Sequence, residues 1–148
     1  MNYSRFMSTQ HAELLRAAHL RVTAPRLAVL AEVTSRPHAT AEEIRGAVHE
    51  RLGTVSTQAV YDVLHALTDA RILRRIEPSG SPGRFELYRD DNHHHVVCRS
   101  CGSIGDVPCA VGHAPCLTAG TDHGFEIDTA EVIYWGMCPA CREAASTA

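Results

Sequence analysis

Two Cys-x2-Cys pairs, Cys98-Arg99-Ser100-Cys101 and Cys138-Pro139-Ala140-Cys141, stand 36 residues apart in a chain of 148. Two residues between cysteines let both sulfurs of a tight turn face one ion, and four thiolates close a tetrahedral Zn²⁺ site. The chain must therefore return on itself between Cys101 and Cys138. The intervening stretch is longer than a common zinc ribbon needs, so it carries folded structure of its own. A disulfide switch is the alternative use of the same motif. Residues 1–7 contain no apolar leader, and no apolar run approaches 18 residues. Both features point to a cytoplasmic protein with no membrane partner, where metal ligation is the ordinary fate of paired cysteines. Met7 offers a second start beside Met1.

Charge divides the chain. Residues 1–85 carry 11 Arg against 8 Asp and Glu, net +3, and residues 86–148 carry 3 Arg against 9, net −6. There is no Lys. Arg presents a planar donor fork suited to phosphates and guanine edges. A basic first half on an acidic second half reads as a nucleic-acid module joined to something else. With 45% hydrophobic and 21% charged residues, the chain is globular, one ordinary domain or two small ones.

The first half reads as helices and then a hairpin. Leu14, Leu15 and Ala18 form the stripe of a first helix within residues 9–19. Pro25 suits the first turn of a second, with Leu27, Leu30, Ala31 and Val33 on its apolar face, and Pro37 stops it. Thr40 caps a third helix, and Glu43 completes a capping box. Ile44, Ala47, Val48 and Leu52 form its face, and Gly53 ends it. Ser56 caps a fourth, where Val60, Val63, Leu64 and Leu67 repeat at helical spacing while Gln58, Tyr61, Asp62 and His65 point elsewhere. Residues 71–76 and 84–88 flank a Gly/Pro/Ser turn, the pattern of a hairpin. Helices followed by a hairpin carrying Arg74, Arg75 and Arg84 have the layout of a winged helix-turn-helix. Its fourth helix would enter the major groove, and its hairpin would lie along the DNA backbone. A small helical bundle with a surface hairpin is the competing reading.

In the second half, Glu131–Gly136 is apolar on both alternating faces, which predicts a strand covered on each side. The stretch around Leu117 offers one cover and a second copy of the chain offers the other, which predicts a homodimer. In the run His93-His94-His95 before Cys98, His93 and His95 share one strand face, a divalent-metal bite with Glu86 and Asp106 near in sequence. His94 takes the other face and reads as surface. Cys109 and Cys116 lie outside the zinc set. They read either as a thiol–disulfide sensor or as small buried hydrophobes.

Together these segments resemble the ferric-uptake-regulator (Fur) family: Arg21-Val22-Thr23-Ala24-Pro25-Arg26, Ser56 to Leu64, Asn92 to Gly102 and the last cysteine pair. The likeness runs from Leu14 to Cys141. Within the family it is nearest to the catalase-linked, peroxide-responsive repressors of actinobacteria. It implies an α+β fold, with a winged helix-turn-helix over residues 1–88, a hinge at 89–92 and a zinc-stapled α/β dimerisation domain with a small antiparallel sheet over 93–148. It places structural Zn²⁺ on Cys98, Cys101, Cys138 and Cys141. It places regulatory Fe²⁺ or Mn²⁺ on His38, Glu86, His93, His95 and Asp106. A further family site, on the other face of the His-rich strand, would use His94 and His113, with Ala130 standing where the family carries His. Asp106 resembles the peroxide sensors of the family, whereas the position of Glu86 is Asp in the best-known of them.

The resemblance implies double-stranded DNA, an A/T-rich inverted repeat, as the partner. The residues expected to touch it are Arg21, Thr57, Gln58, Tyr61, Arg74, Arg75 and Arg84. The function expected is a metal-dependent repressor sensing peroxide and controlling catalase or oxidative-stress genes. The alternatives are a metal-responsive repressor without peroxide chemistry and a thiol sensor using Cys109 and Cys116. An enzyme is not expected. Four cysteines leave no open position for water, and neither pair follows the Pro of the zinc-deaminase signature. A zinc-ribbon interaction module is the remaining competitor, opposed by the arginines of the hairpin.

Overall fold

Hydroxyl caps organise the helices of the N-terminal half. After α1 (Tyr3–Ala17), Thr23 opens α2 (Ala24–Ser35) by accepting from the Arg26 N–H at 3.5 Å, with Pro25 in the first turn. The short strand β1 (Ala39–Thr40) runs directly into α3 (Ala41–Leu52). At that junction the Glu43 N–H donates to Thr40 Oγ1 at 3.3 Å, and the Thr40 N–H donates to the Glu43 carboxylate at 2.7 Å. This is the expected capping box. Gly53 closes α3 at φ 73°, a left-handed conformation that only glycine adopts without cost. Ser56 opens α4 (Thr57–Asp69) by accepting from the Ala59 N–H at 3.2 Å.

The computed structural model describes residues 3–89, 91, 93–108, 119–127 and 130–146, and it divides into two compact units, Met1–Arg89 and Asp90–Ala148. In the first unit, β2 (Leu73–Ile76) and β3 (Arg84–Leu87) form an antiparallel hairpin, and β1 adds to the free side of β3 to give the order β1-β3-β2. Helices α2, α3 and α4 pack on one another around Leu15, Val29, Leu30, Val33, Ile44, Val48, Val60, Leu64 and Leu67, each at most 1% exposed. Burial of one such side chain contributes about 1.5–3 kcal/mol. This is a core of four helices, α1 to α4, with a three-stranded wing, and it presents α4 beside the hairpin.

Two expectations are corrected here. Leu14 is 39% exposed, and the inward residues of α1 are His11 and Leu15, both buried, with Ala18 packed against the core just past the end of the helix. Leu14 and Leu15 are neighbours about 100° apart on a helix, so one inward stripe cannot centre on both. β1 was not expected, because a two-residue strand has no periodicity to read.

The second unit holds β4 (His93–Cys98), β5 (Ile104–Pro108), β6 (Ile133–Gly136) and α5 (Pro139–Ser146). Its sheet has the order β5-β4-β6. β4 pairs antiparallel with β5 and parallel with β6. The expected antiparallel arrangement therefore covers β4–β5 alone. β5 returns the chain to the end where β4 begins, so β6 starts from that end and runs parallel to β4. On β6, Tyr134 is 48% exposed, so one face of the strand is open among the described residues. His94, expected at the surface, is buried, with its ring 6.2 Å from that of Tyr134. Residues 109–118, including Cys109, His113, Cys116 and Leu117, lie outside the described residues, as do Asp90 and Asn92 of the expected hinge. Among the described residues no helix is long and apolar enough to cross a membrane.

Candidate functional site

The four cysteines of the paired motifs converge in the second unit. Cys98 ends β4, and the chain turns at once: the Cys98 N–H donates to the Ser103 carbonyl at 2.8 Å and the Gly102 N–H donates to the Cys98 carbonyl at 2.9 Å, with Gly102 at φ 71°. The second pair arrives at the start of α5. The Arg99 N–H donates to the Gly136 carbonyl at 2.8 Å, tying the first turn to the end of β6. All four sulfurs lie within 4.8 Å of one another, and Cys101 and Cys138 approach to 3.7 Å. A tetrahedron with Zn–S bonds of about 2.3 Å has edges of about 3.8 Å, so the set fits Zn²⁺.

The thiols are already electrostatically differentiated. The N–H groups of Cys101 and then Cys138 pull the Cys98 thiol down to about 6. Cys141 has the opposite fate. The Ser100 side chain favours its thiolate, but the neighbouring sulfurs of Cys138, Cys101 and Cys98 together push it up to about 11. The Cys101 thiol is lowered as well, chiefly by its hydrogen bonds with Ser103, and a divalent cation neutralises the like charges that such thiolates bring to close range.

Each unit also carries a nitrogen–oxygen donor pair. In the first, His38 Nε2 lies 3.1 Å from Glu86 Oε2 on β3, both side chains less than 10% exposed. The His38 backbone sits at φ 66°, a region a residue with a side chain rarely occupies. It is held there from two sides. Its N–H donates to the Phe85 carbonyl at 2.9 Å, and its carbonyl accepts from Arg84 Nη1 at 3.0 Å. A backbone fixed in an unfavourable region by its surroundings is a common mark of a functional residue. In the second unit, His95 stands opposite Asp106 across the β4–β5 ladder, with Nε2 3.7 Å from Oδ1. His93 shares its strand face, with ring centroids 5.0 Å apart. The His93 Nδ1 is engaged by the Asp91 carboxylate. Sequence reasoning missed Asp91. It stands two residues before a His, and such a spacing is too common to signal anything.

The residues expected to meet DNA are distributed unevenly. Thr57 and Gln58 are exposed in the first turn of α4, Tyr61 follows one turn on, and Val60, Leu64 and Leu67 face the core. The Gln58 amide donates to Asp62 at 2.7 Å. Arg21 is exposed, and its carbonyl accepts from Arg26 Nη1 at 2.8 Å. Of the hairpin arginines, Arg75 is exposed and pairs with Glu77, Arg74 faces Glu86, and Arg84 is turned onto the His38 carbonyl. A cleft of about 320 Å³ separates α4 from the hairpin, lined by Tyr61, His65, Arg75 and Gly83 among others.

A winged helix, a cysteine cluster with zinc spacing and two His–carboxylate pairs thus stand on one chain. Residues 17–135 match the ferric uptake regulator family. The chain belongs to that family. As a family member it is a metal-responsive transcriptional regulator. It is 63% identical to the transcriptional regulator FurA of Mycobacterium tuberculosis over 131 residues, covering 88% of this chain and 89% of that one. It is 61% identical to ferric uptake regulation protein 2 of Mycolicibacterium fortuitum over 137 residues, covering 90% and 94%. Among solved structures, the ferric uptake regulator of Pseudomonas aeruginosa with manganese aligns at TM-score 0.64 and 26% identity, covering 87% of this chain and 98% of that one. The α+β fold of winged helix plus small-sheet unit is the fold of this ferric uptake regulator.

Proposed function

We propose that the protein is a homodimeric, DNA-binding repressor whose affinity for DNA is set by a regulatory Fe²⁺ or Mn²⁺ and relieved by peroxide. The observation that carries this reading is the placement of donors. His38 and Glu86 belong to the DNA-facing unit, and His93, His95 and Asp106 belong to the other. An ion held by both sets ties the winged helix to the dimer-forming unit and selects one spacing of the two recognition helices across a two-fold axis. That spacing must match half-sites about one helical turn apart on DNA. Without the ion, affinity falls by the difference in binding between the two states.

Imidazole and carboxylate donors suit Fe²⁺ or Mn²⁺, whereas the four thiolates of Cys98, Cys101, Cys138 and Cys141 suit a permanent Zn²⁺. When bound, ferrous iron supplies one-electron chemistry with hydrogen peroxide. The family resemblance implies that His38 and His93 are the imidazoles oxidised by that chemistry, and an oxygen added to either ring weakens it as a ligand while leaving the zinc thiolates untouched. The exposed face around Tyr134 supports dimer formation through β6. Thr57, Gln58 and Tyr61 are the base-reading positions of α4, and Arg21, Arg74 and Arg75 supply phosphate contacts, whereas Arg84 is engaged by the His38 carbonyl. The target proposed is an A/T-rich inverted repeat.

The test compares iron-loaded and manganese-loaded protein bound to such a duplex under dilute peroxide. Release with iron alone, together with an addition of about 16 mass units on the peptide of His38 or His93, supports the reading. Release that follows a Cys109–Cys116 disulfide with either metal transfers sensing to the thiols. Release on chelation but never on peroxide leaves a purely metal-responsive repressor.

A further inference from the structure

The buried carboxylate of Glu86 has two faces. Oε2 meets His38 Nε2 at 3.1 Å, and Oε1 meets Arg74 Nη1 at 3.9 Å. The second contact is built into the hairpin, because Arg74 and Glu86 stand directly opposite in the β2–β3 register and leave the same face of the sheet. Arg75, next along β2, leaves from the opposite face and engages Glu77. The Arg74 side chain is 22% exposed and that of Glu86 is 7% exposed, so the guanidinium bridges a buried anion and the solvent.

A guanidinium beside a buried carboxylate stabilises its charge, and a divalent ion that takes the same carboxylate as a ligand neutralises that charge and repels the guanidinium, which loosens the pair. We propose that Arg74 is a displaceable counter-ion: metal takes Glu86, Arg74 is repelled from it, and the released guanidinium engages a phosphate of bound DNA. This rests on the regulatory role proposed for Glu86. The guanidinium fork that matches a carboxylate matches a phosphate equally well. Arg74 also stands on the hairpin that a winged helix lays along the DNA backbone. The metal thus changes the charge that the wing offers to DNA through a single cross-strand pair, in addition to any change in the spacing of two units. Linkage makes the exchange reciprocal: DNA that holds Arg74 away from Glu86 raises metal affinity by the same factor.

The test uses full-length zinc-replete protein, Mn²⁺ and a duplex carrying an A/T-rich inverted repeat. DNA affinity is measured against salt concentration, with and without Mn²⁺, for wild type, Arg74→Gln, Arg74→Lys and Arg75→Gln. With Mn²⁺, the salt slope of Arg74→Gln is expected to be shallower than that of wild type by about 0.9 per protomer, and without Mn²⁺ the two slopes coincide. Arg74→Lys keeps the charge and keeps the metal-dependent slope. Arg75→Gln lowers the slope equally in both states. In the absence of DNA, Arg74→Gln binds Mn²⁺ about tenfold more tightly than wild type, because a cation has been removed from the ligand. The inference is overturned if Arg74→Gln retains the full metal-dependent gain in DNA affinity, or if it binds Mn²⁺ no more tightly than wild type. If wild type itself shows no gain with metal, the regulatory reading fails together with the inference, and the wild-type arm alone reveals it.

Discussion

The Cys138 N–H donates to Cys98 Sγ at 3.3 Å, joining two turns 40 residues apart. The same contact helps hold the Cys98 thiol at about 6, so one pair of residues both closes the second unit and prepares a thiolate for metal. A four-thiolate zinc contributes on the order of 10 kcal/mol to folding at neutral pH. Cys98→Ser is therefore expected to lose its zinc and to unfold the unit formed by residues 90–148. Metal content and near-UV circular dichroism report both. A folded, zinc-free variant would contradict the assignment.

Tyr61 lies on α4 one turn after its exposed N-terminal residues, half-buried beside Leu64 at the edge of the core-facing side of the helix, where it lines the cleft toward the hairpin. Tyr61→Ala is expected to cost roughly 1–3 kcal/mol in affinity for specific DNA and little for random duplex. Titration of both duplexes at one salt concentration checks it. Equal losses on the two would make Tyr61 a backbone contact.

His11 gives the winged-helix unit a pH dependence. The Thr34 hydroxyl donates to the Leu30 carbonyl at 2.7 Å and lies 3.0 Å from His11 Nε2, which holds the buried ring in place. Burial, and then the charge of Arg51, lowers its pKa from 6.5. The folded state therefore resists a proton that the unfolded chain accepts. This part of the stability is constant above pH 6.5 and declines as the pH falls below it. Thermal melts of wild type and His11→Gln at about pH 7.5 and about pH 5.5 are expected to show the larger acid loss in wild type. Parallel losses would remove His11 as the cause.

Thr40 closes the capping box that joins β1 to α3. Thr40→Ala is expected to destabilise the first unit by about 1 kcal/mol, and Thr40→Ser by much less. Urea unfolding measures the difference. Equal stability of the alanine and wild-type proteins would mean that solvent replaces the cap without cost.

Most of the first unit was legible because its signals are local. Thr40 with Glu43, Ser56 before an apolar repeat, Gly53 and the Gly/Pro turn of the hairpin each determine backbone over a few residues. The error at Leu14 arose where two adjacent leucines compete for one inward position and the deciding residue, His11, is polar. The cysteine cluster was legible for a different reason: ligand spacing is stated twice in the chain. Within the donor pairs, strand alternation grouped His93 with His95, and the register that sets Asp106 opposite His95 is a pairing between strands that alternation does not encode. The strained backbone of His38 and the turning of Arg84 onto its carbonyl depend on the fold of the hairpin against β1. The sharing of Glu86 between His38 and Arg74 is likewise a property of cross-strand register. Three arginines that look alike in sequence thereby acquire three environments.

The central claim is that metal at His38, Glu86, His93, His95 and Asp106 controls DNA binding. The most direct measurement is the affinity of zinc-replete protein for an A/T-rich inverted-repeat duplex, with and without Mn²⁺, in wild type, His38→Ala and Asp106→Ala. Wild type is expected to gain about tenfold or more in affinity with Mn²⁺, the range of a coupling of 1–3 kcal/mol. Both variants are expected to lose that gain while keeping their zinc. Equal affinity of wild type with and without metal, or a full gain retained by His38→Ala, would contradict the account.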